Sequence, residues 1–134
     1  MSQRDDAALL WAKALEDRRA AHALRGIAFS GVANRAYYAV FHAVSALFYF
    51  EGNEDLYKKH SAVESAVHRD LVRTGRWTRD VGAAYTSLHE LRLSGDYGIA
   101  FGVSEEESQT ALDSMEIILA AISEMHPDFF ILTP

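Results

Sequence analysis

The sequence predicts an all-α protein, a small helical bundle folded as one domain. Three observations predict it. Apolar residues recur at helical spacing along most of the 134-residue chain. Strand-like alternation bounded by turn residues is absent. Proline occurs only at 127 and 134, so no earlier helix is broken by one. A domain of this size buries roughly two-thirds of the surface its unfolded chain exposes, enough for a real core.

The most apolar stretch is residues 30–50, SGVANRAYYAVFHAVSALFYF. From Ala36 to Phe50 only His42 and Ser45 fall outside the aliphatic, aromatic and alanine set. A helix apolar on nearly every side is covered all round by its neighbours, so this one is predicted to be the centre of the bundle. Arg35, Tyr38, His42, Ser45 and Tyr49 share one face at spacings of three and four. Ala36, Ala39, Ala43 and Ala46 form an opposite stripe where another backbone can come close.

The other helices follow in order. The first is predicted to begin near Asp5 or Asp6, since carboxylates suit a helix N-terminus. Ala7, Leu10, Trp11, Ala14 and Leu15 form its apolar face, and Gly26 closes it. The central helix follows, with Ser30 or a neighbour as N-cap and Gly52 just past its end. A polar link, GNEDLYKK, leads to a third helix opened by a capping box at Ser61 and Glu64. Val63, Val67 and Leu71 give it a narrow apolar stripe that Thr74-Gly75 ends. A fourth helix begins near Thr78 or Asp80 and buries Val81, Ala84, Tyr85, Leu88 and Leu91. Ser94–Gly98 reads as a loop. Ser104 and Glu107 form a second capping box, opening a fifth helix with Ala111, Met115, Ile118, Ile122 and Met125 inward. The tail DFFILTP is apolar enough to require cover, either from the bundle or from a partner chain.

Composition narrows the function. An apolar fraction of 49% excludes a disordered chain. Without cysteine there is no disulfide framework, zinc ribbon or thiolate nucleophile. The charged N-terminal stretch lacks a signal peptide's apolar core, and the run at 36–50 is short for a membrane span of about 20 residues. The expectation is a soluble, cytoplasmic protein without membrane contact. A net charge of −6 argues against nonspecific duplex binding by the whole surface, though not against a local basic patch.

Three groups of residues carry possible chemistry. Arg35 and His42 lie two helical turns apart, with Tyr38 between them. An arginine can hold a phosphodiester while a histidine moves its proton. The structural alternative is that Arg35 pairs a carboxylate such as Asp96 and His42 donates to a backbone carbonyl. The second group is HELRLSGDYG, residues 89–98. Its His89, Arg92, Asp96 and Tyr97 form either a phosphate site with a general base or an Arg–Asp latch with a packed tyrosine. The third is a basic segment of Lys58, Lys59, His60, Arg69, Arg73, Arg76 and Arg79, with Trp77 among them for stacking. Its alternative is a solvated face. The histidines are too scattered for a metal motif, and no glycine-rich phosphate loop is present.

Four elements then resemble, in order, those of small stand-alone HEPN-domain proteins. They are Asn34–His42 (NRAYYAVFH), Lys58–Val63 (KKHSAV), Leu91–Gly98 (LRLSGDYG) and Val103–Glu107 (VSEEE). The resemblance implies an up-and-down bundle of four to five helices, commonly a homodimer. It implies a metal-independent endoribonuclease without cofactor, often the toxin of a toxin–antitoxin pair whose antitoxin is a minimal nucleotidyltransferase. In some pairs that partner attaches nucleotides to a tyrosine, matched here by Tyr97. The family's ribonuclease motif matches Arg92 to Tyr97, but Asp96 stands where a histidine is expected.

The expected site therefore has Arg35, His42, Arg92 and Asp96 as its catalytic set. Tyr38, Lys59, His60 and His89 are its binding residues, and RNA or a nucleotide its ligand. The alternative is a non-catalytic HEPN module that binds a nucleotide or a partner.

Overall fold

The computed structural model describes residues 2–53, 59–97 and 102–134, with the backbone alone for 94–97. Within them the chain forms five helices: α1 (Gln3–Ala23), α2 (Phe29–Phe50), α3 (His60–Ala66), α4 (Arg79–Tyr97) and α5 (Glu105–Met125). α3 runs on into π-helical turns over Val67–Val72. No strand occurs among the described residues, so the predicted all-α bundle is the observed one.

α2 is the centre, as its composition requires. It packs against α1, α4 and α5 and also meets α3. Thirteen of its residues are buried, from Val32 to Phe48. The Ala36, Ala39, Ala43 and Ala46 stripe is wholly buried. Val63 and Leu71 of the third helical segment, Tyr85 and Leu88 of α4, and Met115, Ile118 and Ile122 of α5 complete the core.

Local signals fixed some helix ends and missed others. α5 starts as predicted: Glu107 N–H donates to Ser104 Oγ, and Ser104 N–H donates back to the Glu107 carboxylate. Ser104→Ala removes one of these partners and is expected to cost about 1 kcal/mol of stability in a urea titration. α1 starts before Asp5, because Ser2 and Asp5 form a reciprocal box of the same kind. α2 is capped by Ala28 rather than Ser30, without a side-chain hydrogen bond. The predicted box at Ser61 is absent, because α3 starts two residues earlier, at His60, and Lys59 occupies the cap position. The largest correction is at 94–97. These residues continue α4 rather than forming a loop, since a single glycine costs a helix only about 1 kcal/mol. Gly98 lies outside the described residues.

Gly82 shows how close α4 comes to the π-helical turns. A Cβ there would stand 2.5 Å from Val72 Cγ2, a separation only a bare backbone allows. Nearby, His68 Nε2 and Thr86 Oγ1 are 2.9 Å apart.

The tail folds back on its own chain. Phe130 is fully buried, with its ring 5.1 Å from Trp11 and 5.4 Å from Phe50. Trp11 Nε1–H donates to the Ile131 carbonyl at 3.1 Å, and Arg18 donates to the Thr133 carbonyl at 2.7 Å. Arg18 also makes a bidentate pair with Glu116 of α5. Hydrogen bonding by Arg18 holds the Glu116 carboxyl below the usual carboxylate range despite its partial burial.

Candidate functional site

The α1–α2 contact brings a residue to the site that the sequence reading did not select. Asp17 of α1 is buried against α2. One of its oxygens accepts from Arg35 Nη1–H at 3.3 Å, the other from His42 Nδ1–H at 2.7 Å. Arg35 thus pairs a carboxylate, as the structural alternative expected, whereas His42 meets that same carboxylate instead of the expected backbone carbonyl; the Asp96 side chain lies outside the described residues. A buried charge needs partners, and Asp17 has two. Its position carried a signal. It continues the buried row Ala7, Trp11, Ala14 and Ala21, where an aspartate is out of place unless paired.

His42 Nδ1 is occupied by Asp17, and its Nε2 makes no hydrogen bond among the described residues. Arg35 keeps half of its side chain, 52%, exposed, whereas His42 keeps 14%. The pair therefore offers an open guanidinium beside a mostly covered imidazole.

Arg92 of α4 donates to the Tyr38 hydroxyl at 3.2 Å, and its Cζ lies 5.5 Å from the Tyr38 ring centroid and 5.8 Å from that of Tyr37. α4 therefore does reach the Arg35–Tyr38–His42 face of α2, through Tyr38. The side chains of Asp96 and Tyr97 lie outside the described residues.

α3 supplies His60. Its Nδ1 is 2.6 Å from the Tyr37 hydroxyl, and its ring stacks on Phe41 with centroids 4.1 Å apart. Burial, followed by the charges of Arg92, His89 and His42, pushes its pKa below the ordinary histidine value. His89 of α4 stacks on the other ring of this group, Tyr37, at 4.9 Å, and its Nδ1 lies 3.5 Å from Glu64 of α3. Three imidazoles thus line one side of α2, each with Nδ1 turned to a protein partner.

The rest of the basic segment does not join them. Arg69 pairs Asp70. Arg76 pairs Glu51, which His126 also contacts. Burial alone would raise the Glu51 pKa, but hydrogen bonds from Arg76 and His126 outweigh it and hold the carboxyl low. Trp77 is a core residue, its Nε1–H on Met125 Sδ, so it provides no stacking platform. Lys59 is exposed at the start of α3, and Lys58 lies outside the described residues. No described helix is long and apolar enough to cross a membrane.

Comparison with known proteins agrees with this architecture. A family model described as the HEPN domain matches residues 7–125. A UPF0332 protein of Thermotoga maritima is 37% identical over 95 residues, spanning 71% of this chain and 70% of that protein. The matched segment of the family model runs from α1 through α5 and so includes Asp17.

Proposed function

This chain belongs to the HEPN domain family, and we propose that it is the RNA-targeting toxin component of a two-protein module, cleaving RNA without a metal. The observation that carries this reading is the shared carboxylate: Asp17 orients His42 and flanks it with Arg35. With Nδ1–H donated to Asp17, His42 presents the lone pair of Nε2 as proton acceptor. It takes the proton of a ribose 2′-hydroxyl. The 2′ oxygen then bonds to phosphorus as the 5′ oxygen leaves, and the leaving oxygen takes that proton back. The products are a 2′,3′-cyclic phosphate and a 5′-hydroxyl. Arg35 and Arg92 hold the non-bridging oxygens and offset the charge that builds there.

The module's other member is a nucleotidyltransferase antitoxin, with Tyr97 as the residue it modifies, and the chain acts as a homodimer in the cytoplasm. The partner, the modified tyrosine and the homodimer rest on the family resemblance alone, and the location on the charged N-terminal stretch and the short apolar run at 36–50.

A second reading, binding without cleavage, is favoured by the cover over His42 and by aspartate at position 96 in the family's ribonuclease element. Incubating the purified protein with single-stranded RNA in EDTA separates the two. Cleavage lost in both His42→Ala and Arg92→Ala is the expected result. RNA binding without cleavage would replace it with the second reading. Cleavage that survives both substitutions would move the chemistry to other residues.

A further inference from the structure

Three imidazoles face the same region, but they are not held alike. His42 and His89 turn Nδ1 to the carboxylates of Asp17 and Glu64. A carboxylate accepts, so His42, hydrogen-bonded to Asp17 at 2.7 Å, keeps its proton on Nδ1, while His89 stands 3.5 Å from Glu64. His60 turns Nδ1 to a phenol, and a phenol can donate.

The direction of that hydrogen bond follows from burial. Tyr37 is fully buried, and burial pushes its pKa up, so the hydroxyl keeps its proton. If Tyr37 accepted from His60, that proton would need another acceptor. The phenol rings beside it are Tyr38 and Tyr85, with centroids 5.4 and 6.3 Å away; the Tyr38 hydroxyl meets Arg92, and that of Tyr85 makes no hydrogen bond within the usual geometric limits. An unsatisfied buried hydroxyl proton costs more than a made bond returns. The phenol therefore donates to Nδ1, and the proton of neutral His60 lies on Nε2. That Nε2 makes no hydrogen bond among the described residues and is not buried. Phe41 stacked on the ring fixes its plane, so the direction of the N–H is fixed too.

We propose that His60 is a positioning residue held by Tyr37 as the Nε2–H tautomer, and that it donates a hydrogen bond to a phosphate oxygen of bound RNA. This rests on the reading that RNA is the ligand. Its polarity is opposite to that of His42: one imidazole presents a lone pair, the other a proton. Tyr38 stands between them, its ring centroid 5.9 Å from that of His42 and 5.8 Å from that of His60. A neutral donor adds direction where Arg35 and Arg92 already supply charge. His60 also stays uncharged near neutral pH among Arg92, His89 and His42, which avoids a further buried cation.

Nitrogen-15 spectra of the uniformly labelled protein at pH 7 read the tautomers without any ligand, with His60→Gln identifying the His60 signals. The expected result is Nε2–H for His60 and Nδ1–H for His42, with Tyr37→Phe turning His60 into a mixture. A charged or Nδ1–H His60 in the wild-type protein overturns the proposal and leaves the chemistry assigned to His42 standing. Fluorescence anisotropy with a labelled single-stranded 2′-O-methyl RNA, which carries no attacking hydroxyl, reads the binding role. His60→Gln retains an N–H near the same place and is expected to bind within about twofold of wild type, while His60→Ala weakens binding roughly tenfold. Equal weakening by both overturns the donor role. Absence of wild-type binding alongside the expected tautomers overturns the RNA reading, and with it the ligand assigned to His60.

Discussion

Asp17→Asn is expected to lower RNA cleavage by about a hundredfold or more, the range spanned by losing a positioned acid–base group. The side chain keeps its size but loses its charge. Its single carbonyl oxygen can accept from Arg35 or from His42, not from both as the carboxylate does. A His42 released from Asp17 is free to place its proton on Nε2, the wrong nitrogen for a base. Asp17→Ala adds a structural cost. It strips a mostly covered imidazole of its partner, while the half-exposed Arg35 turns to water. Loss of the two charge-assisted bonds, discounted for that exposure, is expected to cost about 2–3 kcal/mol. Measuring both quantities on both variants separates two roles. A fall in stability with unchanged cleavage and RNA affinity would make Asp17 a latch between α1 and α2 and nothing more.

Phe130→Ala is expected to have the largest effect on stability, about 3–5 kcal/mol, as for other buried aromatics cut to alanine. Melting followed by far-ultraviolet circular dichroism should show a drop on the order of 10 °C or more for a domain of this size. The ring sits among Trp11, Phe50 and Phe129, and its removal leaves those faces without contact. The Trp11 bond to the Ile131 carbonyl depends on the same seating. A melting point within about 2 °C of wild type would show that the tail contributes little to the bundle, against the area it buries.

The fold was legible where periodicity and local chemistry agree. The apolar run at 36–50 announced a central helix because no other arrangement covers all its sides. Ser104 and Glu107 announced a helix start because their bonds are local. The capping spacing at Ser61 and Glu64 misled for the same reason: spacing does not say whether the helix has already begun, and it begins at His60. Gly95 and Asp96 read as a loop because composition carries no information about α2 lying alongside α4. Trp77 looked available for stacking among arginines, but Arg76 is drawn to Glu51 and the indole turns into the core.

The site was legible only in part. Arg35, Tyr38 and His42 share a face by arithmetic, and Arg92 reaches that face as expected. Asp17 was legible only as an aspartate in an apolar row; which residues it pairs depends on how α1 crosses α2, and helix crossing is set by packing rather than by local spacing. The opposite tautomers of His42 and His60 were further out of reach. They depend on whether Nδ1 meets a carboxylate or a phenol across an interhelical gap, which no residue pattern in one segment records.

The seating of the tail also bears on the order in which the chain acquires its structure. Trp11 and Ile131 are separated by 120 positions, so their meeting closes nearly the longest loop this chain can make. Closing it costs entropy that no nearby contact repays in advance. Helix formation and the α1–α2 pairing involve much shorter separations and do not wait for it. Tail docking is therefore expected to be a late event, which a φ-value near zero for Phe130→Ala in folding kinetics would check. Interactions formed that late hold the native state by slowing its opening and add little to the speed of its assembly. On that expectation Phe130→Ala speeds unfolding and leaves the folding rate almost unchanged, the behaviour of a brake on unfolding rather than of a nucleus residue.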